Sequence, residues 1–150
     1  MNTLKVGDKA PNFIALDEEG NAISMNDFIG KKLVVFFYPK ASTPTCTTES
    51  CNLRDNYKLL TDNGFQVIGV SADSQKAQAN FKKKYNFPFP LIADVEKEVI
   101  KAFGVWGPKK FMGRNFDGIH RITFVIDEEG TIIKVIDDVK AKNHASQILE

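Results

Sequence analysis

Both cysteines of the 150-residue chain lie in the segment that decides its fold, Pro39-Lys40-Ala41-Ser42-Thr43-Pro44-Thr45-Cys46-Thr47-Thr48-Glu49-Ser50-Cys51. Residues 33–38, just before it, are Leu-Val-Val-Phe-Phe-Tyr, an apolar run that predicts a buried strand. After it, apolar residues recur at the spacing of one helix face, at Leu53, Tyr57 and Leu60. The segment is therefore predicted to be a strand-to-helix turn, with Cys46 in the first helical turn.

The start of a helix favours a negatively charged side chain. Its first backbone N–H groups have no partner within the helix, and the helix dipole is positive there. A thiol in such a position loses its proton more readily, and the thiolate is the nucleophilic form of cysteine. Cys46 is therefore the candidate nucleophile, whereas Cys51 lies more than one turn further along the helix.

Strands and helices alternate along the rest of the chain. The predicted strands are residues 13–16, 22–24, 33–38, 65–71, 91–93, 121–126 and 131–139. The predicted helices are one after Cys46 that ends before Gly64, one capped by Asp73 or Ser74, one from Asp94 to Phe103, and one capped by Asn143. Residues 104–120 are predicted to form a long irregular loop of functional importance.

This order predicts an α/β protein with a mixed central sheet flanked by helices on both faces, and an N-terminal β-hairpin. No linker-like segment interrupts the pattern, so we expect one domain over residues 1–150. The formal net charge of +1 gives no reason to expect nucleic acid or a membrane as a partner. The N-terminus lacks a signal-peptide pattern, and we expect a cytoplasmic protein.

Two cysteines in a cytoplasmic protein are more often catalytic or metal-binding than a permanent disulfide. On an intact helix, Cα atoms five residues apart are roughly 8–9 Å from each other. A disulfide needs Cα atoms within about 7 Å, so Cys46 and Cys51 could bond only if the helix partly unwound. That geometry argues against a structural disulfide. A metal site is also disfavoured, because His120 and His144 have no metal-like spacing to the cysteines.

Two catalytic explanations remain for the cysteine pair. A dithiol oxidoreductase uses Cys-x-x-Cys, which the spacing of Cys46 and Cys51 does not match. A thiol peroxidase needs an attacking and a resolving cysteine that meet only after oxidation, and the helix geometry favours this explanation. Thr43 and Thr47 offer hydroxyls near the thiol, although helix capping explains them equally well. Pro39 ends the strand and could shield the site or be purely architectural.

The run Pro39-x-x-x-Thr43-x-x-Cys46 resembles the peroxiredoxin motif Pro-x-x-x-Thr-x-x-Cys. The resemblance extends over nearly the whole chain and is greatest to the bacterioferritin comigratory protein, or PrxQ, subgroup. It is carried by residues 37–40, 51–56 and 104–107 and by the run Phe111-Met112-Gly113-Arg114-x-x-Asp117-Gly118-Ile119-His120-Arg121.

The resemblance implies a thioredoxin-like fold and reduction of hydrogen peroxide and alkyl hydroperoxides without any metal or organic cofactor. It implies that Cys46 attacks the peroxide, Thr43 positions it, and Pro39 shields the site. Arg121 would stabilise the thiolate and the transition state, and Cys51 would resolve the sulfenic acid as an intramolecular disulfide. Family members use thioredoxin, sometimes glutaredoxin, as reductant, and many are monomers, so we expect both here.

Two functions of other classes are compatible with the same residues. A redox sensor would pass its disulfide to a client protein without catalytic turnover. A binding module on this scaffold would not lose its thiols rapidly in peroxide. Members of the subgroup also extend the last helix by a few residues, so we expect the natural chain to continue beyond Glu150.

Overall fold

A computed structural model describes residues 1–150. Its strands are β1 (Ile14–Leu16), β2 (Ala22–Ser24), β3 (Lys32–Phe37), β4 (Phe65–Ser71), β5 (Leu91–Ala93), β6 (Trp106–Phe111), β7 (Arg114–Ile119), β8 (Thr123–Ile126) and β9 (Ile132–Ile136). Its α-helices are α1 (Pro44–Asp55), α2 (Tyr57–Asp62), α3 (Gln75–Tyr85), α4 (Glu98–Ala102) and α5 (His144–Leu149). None of these helices has the length and apolar character that a bilayer span requires.

Five strands form the central sheet in the order β5-β4-β3-β8-β9. β3 pairs in parallel with β4, with Val35 opposite Ile68, and antiparallel with β8, with Val35 opposite Phe124. β1 and β2 form a separate antiparallel hairpin near the N-terminus. The prediction of a mixed sheet with an N-terminal hairpin is therefore confirmed.

The apolar residues of β3 divide the core between the two faces of the sheet. Leu33, Val35 and Phe37 pack on one face with residues of α4 and the N-terminal region. The alternate residues 34, 36 and 38 pack on the other face with residues of α1, α2, α3 and α5. A strand buried on both faces explains the uninterrupted apolar run, and helices on both faces confirm the predicted layering.

The helix that follows Cys46 is divided at Asn56, where one continuous helix was predicted. The Asn56 side chain donates to the carbonyl of Asn52 at 2.8 Å, and the backbone N–H of Asn56 reaches the same carbonyl at 3.2 Å. Asparagine side chains compete with backbone bonding in this way and interrupt helices. The predicted end before Gly64 is confirmed, since α2 ends at Asp62 and Gly64 has a positive φ of 86°.

The helix predicted from Asp94 to Phe103 starts later, at Glu98. Lys97 adopts a left-handed backbone, with φ of 62°, which a continuous helix does not permit. The Asp94 carboxylate instead accepts the N–H of Ile100 at 2.8 Å across this turn. Asp94 therefore accepts an N–H from the first turn of α4, although it lies four residues before the helix begins.

The prediction of an irregular loop at residues 104–120 was wrong. Most of this segment is the antiparallel hairpin β6–β7. Met112 and Gly113 form its two-residue connection, with positive φ values of 51° and 78°. Tight hairpins of this kind favour Asn-Gly or Asp-Gly, so Met-Gly gave no turn signal. The hairpin is also largely exposed on both faces, which removes the apolar alternation that identifies a half-buried strand.

Candidate active site

Cys46 is the third residue of α1 and is completely buried. Pro44 occupies the first helical position, where its missing N–H costs no hydrogen bond. Cys46 therefore lies in the first turn, among the N–H groups that lack intrahelical acceptors and at the positive end of the helix dipole.

Arg121 is the side chain that contacts the thiol. Its Nη2 donates to Cys46 Sγ at 3.2 Å, and its Nη1 donates to Glu49 Oε1 at 2.7 Å. One guanidinium therefore bridges two side chains that are one turn apart on α1. The geometry uses the rigid planar fork of arginine, which a lysine ammonium does not have.

The backbone on both sides of Arg121 is held by hydrogen bonds. The N–H of His120 donates to Val105 O at 2.8 Å, and Phe37 N–H at the end of β3 donates to Ile122 O at 3.0 Å. Arg121 was predicted to open a strand, but it lies two residues before β8, in the link from β7. The half-buried guanidinium is thereby aimed at the start of α1.

Glu49 is a fully buried acid next to the thiol. Burial raises the pKa of Glu49 to about 7, although the charge and the hydrogen bond of Arg121 oppose this change. Burial lowers the pKa of Arg121, but the charges of Glu49 and Cys46 outweigh it, so the pKa of Arg121 lies above its usual value. The guanidinium is therefore a permanent cation facing two acids.

His144 closes the site from α5. It is fully buried, and its Nε2 lies 2.8 Å from Thr123 Oγ1 and 3.3 Å from Glu49 Oε2. The 3.3 Å approach does not meet the geometry of a hydrogen bond, so Glu49 Oε2 accepts none. Burial lowers the pKa of His144, which favours the neutral ring.

Thr43 immediately precedes α1, but its hydroxyl does not cap the helix. It donates to Lys40 O at 2.8 Å, within the loop that leads to Cys46. The Thr47 hydroxyl donates back to Thr43 O at 2.8 Å. Neither hydroxyl bonds to the thiol or caps the helix in this structure. Neither of the two predicted roles is therefore observed. Pro39 is half-buried at the start of the loop.

Asp73 holds the loop that carries these residues. Its carboxylate accepts the N–H of Ala41 at 2.7 Å and the Ser71 hydroxyl at 2.6 Å. The neighbouring Ser42 has a positive φ of 64°, an unfavourable backbone for a residue with a Cβ. Asp73 was predicted to be a possible helix cap, but Ser74 caps α3 by accepting Ala77 N–H at 3.1 Å.

Cys51 lies five residues beyond Cys46 on the same helix, and both thiols are free. Cys51 is partly exposed, and burial still raises the pKa of its thiol. The next residue, Asn52, links α1 to α5 and to the segment just before it. Its side chain donates to Lys142 O and accepts Ala145 N–H, both at 2.8 Å.

The comparisons with known proteins cover almost the whole chain. Residues 6–135 match the AhpC/TSA family. Peroxiredoxin Bcp of Escherichia coli strain K12 is 46% identical over 149 residues, which span 99% of this chain and 96% of the relative. The chain belongs to the AhpC/TSA family. The relatives and solved structures to which it is similar include peroxiredoxins of the Bcp and PrxQ group.

Two solved structures extend the likeness of this AhpC/TSA chain to three dimensions. A cysteine-to-serine mutant of Xylella fastidiosa PrxQ aligns with a TM-score of 0.92 and 29% identity, covering 99% of this chain and 95% of that chain. The Xanthomonas campestris bacterioferritin comigratory protein, studied for its alkyl peroxide reduction activity, aligns with a TM-score of 0.86 and 34% identity. That alignment covers 91% of this chain and 87% of the other. The predicted thioredoxin-like peroxiredoxin fold is therefore confirmed.

Several residues of this AhpC/TSA site were missed by sequence reasoning, namely Glu49, Asp73, Lys109 and His144. The position of Glu49 carried a signal, because a residue three positions after Cys46 lies on the same helix face. Lys109 lies close enough for the charges of Arg121 and Cys46 to act on it, although burial is the main cause that lowers its pKa. It reaches the site only through the unpredicted β6–β7 hairpin.

Proposed function

We propose that this chain is a thiol peroxidase that reduces hydrogen peroxide and alkyl hydroperoxides through the Cys46 thiolate. Membership of the AhpC/TSA family supports a peroxidase that uses thiol chemistry. The observation that carries the proposal is the 3.2 Å contact from Arg121 Nη2 to Cys46 Sγ at the start of α1. A buried thiol held by a permanent cation is prepared to react as an anion.

In the first step, the Cys46 thiolate attacks one oxygen of the peroxide and the O–O bond breaks. Sulfur is oxidised to a sulfenic acid, and the other oxygen takes up a proton and leaves as water or an alcohol. Negative charge moves from sulfur to the leaving oxygen, so donors already in place lower the barrier. Arg121 supplies such donors in our proposal, and Thr43 positions the peroxide once its hydroxyl leaves Lys40. Pro39 limits access of water.

In the second step, the Cys51 thiol attacks the sulfenic sulfur of Cys46, and water leaves as the disulfide forms. The helix must open for this, because the two cysteines are five residues apart on α1. A dithiol then exchanges with the disulfide and restores both thiols. We propose thioredoxin, or alternatively glutaredoxin, as this dithiol, acting on a monomer in the cytoplasm.

The experiment that tests the proposed function is a coupled assay with hydrogen peroxide, thioredoxin, thioredoxin reductase and NADPH. We expect peroxide-dependent NADPH oxidation over many turnovers. Replacing thioredoxin with glutaredoxin and glutathione identifies the reductant. A redox sensor would give at most one turnover, and a binding module would give no peroxide-dependent loss of thiols.

Replacing Cys51 with Ser is expected to separate the two chemical steps. The first turnover should proceed at nearly the wild-type rate, because Cys46 and Arg121 are unchanged. The sulfenic acid should then persist and be oxidised further, because no resolving thiol is present. Mass spectrometry checks this, with dimedone to trap the sulfenic acid after one equivalent of peroxide and with excess peroxide to oxidise it further. A normal first turnover in Cys46→Ser instead would reverse the two assignments.

Oxidation is expected to unwind the start of α1, over roughly residues 45–52, because helix ends open at little cost in free energy. Amide protection at residues 47–52 should fall in the oxidised protein, while residues 33–38 keep theirs. Ala145 N–H should also lose protection if opening reaches Asn52, since Asn52 Oδ1 is its acceptor. Hydrogen exchange with mass spectrometry measures this, and oxidised Cys51→Ser, which forms no disulfide, is the matched control. Equal protection in reduced and oxidised wild type would contradict the unwinding.

A further inference from the structure

An unpartnered oxygen lies behind the thiol. Glu49 Oε1 accepts from Arg121, but Oε2 is buried and accepts no hydrogen bond. A buried ionised oxygen without a donor is costly, so a proton is expected on it or beside it. The nearest ring nitrogen is His144 Nε2, at 3.3 Å.

The surroundings of His144 fix which ring nitrogen carries a proton. Gln147 Oε1 accepts Lys140 N–H at 2.9 Å, and Gln147 Nε2 donates to Asp138 O at 2.8 Å. These two bonds orient the amide so that its oxygen faces His144 Nδ1 at 2.9 Å. Nδ1 therefore donates, and Nε2 is the acceptor nitrogen of the neutral ring.

Glu49 Oε2 and His144 Nε2 would thus both present lone pairs if neither group held an additional proton. One additional proton, on either of the two atoms, removes this conflict. Thr123 Oγ1, 2.8 Å from Nε2, accommodates either location, because a hydroxyl can donate or accept. Burial raises the pKa of Glu49 to about 7 and lowers the pKa of His144, so the carboxyl group is the favoured holder.

We propose that Glu49 and His144 together hold one additional proton, on Glu49 Oε2 or on His144 Nε2, and that this proton leaves Arg121 free to stabilise the Cys46 thiolate. The inference rests on the proposed function, in which this thiolate attacks the peroxide. It makes Glu49 and His144 positioning residues that act through Arg121.

The charges of the cluster give the physical reason. With Glu49 protonated, the single positive charge of Arg121 faces only the thiolate, and the three groups are neutral in sum. When Glu49 ionises, the same cation serves two buried anions, and the sum is −1. Each anion then disfavours the other, so Glu49 and Cys46 titrate as a coupled pair.

Other titratable groups also face this cluster. Lys109 from β6 feels the charges of Arg121 and Cys46, and Tyr38, next to the end of β3, feels the charge of Cys46. Burial raises the pKa of Tyr38 well above its usual value, which keeps the phenol neutral. Both groups are unchanged in the variants below, so differences between variants report on Glu49 and His144.

The test is a pH titration of the Cys46 thiolate, by ultraviolet absorbance and by alkylation rate, in a Cys51→Ser background. Glu49→Gln imitates the protonated acid, since its amide oxygen faces Arg121 and its amide N–H faces His144 Nε2. We expect Glu49→Gln to keep the thiolate fraction of the parent below about pH 7, where Glu49 of the parent holds its proton, and to exceed it above that pH, where ionised Glu49 opposes the thiolate. A thiolate fraction already raised about tenfold at about pH 6 would show that Glu49 of the parent is ionised there, and it would overturn the proposal.

A second measurement needs no change at Glu49. The infrared carboxyl band of a protonated acid should be present in the wild type at about pH 6 and disappear as Glu49 ionises near pH 7. In Cys46→Ser the same band should disappear at lower pH, because Arg121 then serves one anion and the coupling is reciprocal. Absence of the band at about pH 6 would also overturn the proposal. Peroxide consumption is measured separately, so failure of the peroxidase function would not be mistaken for failure of this coupling.

Discussion

Replacing Cys46 with Ser is expected to abolish peroxide reduction, with a loss of at least about 1,000-fold in the rate of the first turnover. A serine hydroxyl remains protonated at neutral pH and is a far weaker nucleophile than a thiolate. Cys51 does not substitute for Cys46, since burial raises its pKa and Arg121 does not contact it in the reduced protein. Stopped-flow measurement of peroxide loss with the reduced protein gives the rate.

The matched control is Cys51→Ser, which removes one thiol from the same helix and leaves the first turnover intact. Circular dichroism of both variants shows whether α1 and the rest of the fold are preserved. A Cys46→Ser variant that is folded and still reduces peroxide at the rate of Cys51→Ser would remove Cys46 from the reaction.

Replacing Arg121 with Ala is expected to slow peroxide attack by about 100- to 1,000-fold, the usual cost of losing a donor aimed at the transition state. The thiolate fraction at neutral pH should also fall, because the 3.2 Å contact to Sγ is lost. Arg121→Lys keeps a positive charge but not the two-armed bridge from Cys46 to Glu49. It should recover part of the thiolate fraction and little of the rate.

Arg114→Ala is the matched control for this experiment, because Arg114 is an exposed arginine on β7. Its rate and thiol titration should equal those of the wild type. An Arg121→Ala variant with an unchanged titration and an unchanged rate would show that the guanidinium is only structural.

The fold was predictable where periodicity is strong. The apolar run at residues 33–38 identified the central strand because a strand buried on both faces has no polar positions. The helical spacing after Cys46 placed the thiol in the first turn, where the structure has it. The hairpin at residues 106–119 could not be predicted in this way, since it is largely exposed and buries no continuous face.

The candidate site was predictable in part. Cys46 and its neighbours are close in sequence, so local geometry was enough to bring them together. Arg121 is 75 residues away from Cys46 and was assigned largely through the family resemblance. The contact between Glu49 and His144 depends on how α5 packs against α1, which no local pattern encodes. His144 therefore resembled an isolated, structural histidine.

The central claim is that Cys46 reduces peroxide and Cys51 resolves the product. The most direct measurement is a single-turnover titration of the reduced wild-type protein with hydrogen peroxide, followed by thiol counting and peptide mapping. We predict that one equivalent of peroxide is consumed, that both thiols disappear, and that the linked peptides join Cys46 to Cys51. Peroxide that remains unconsumed, or thiols that survive its consumption, would contradict the account.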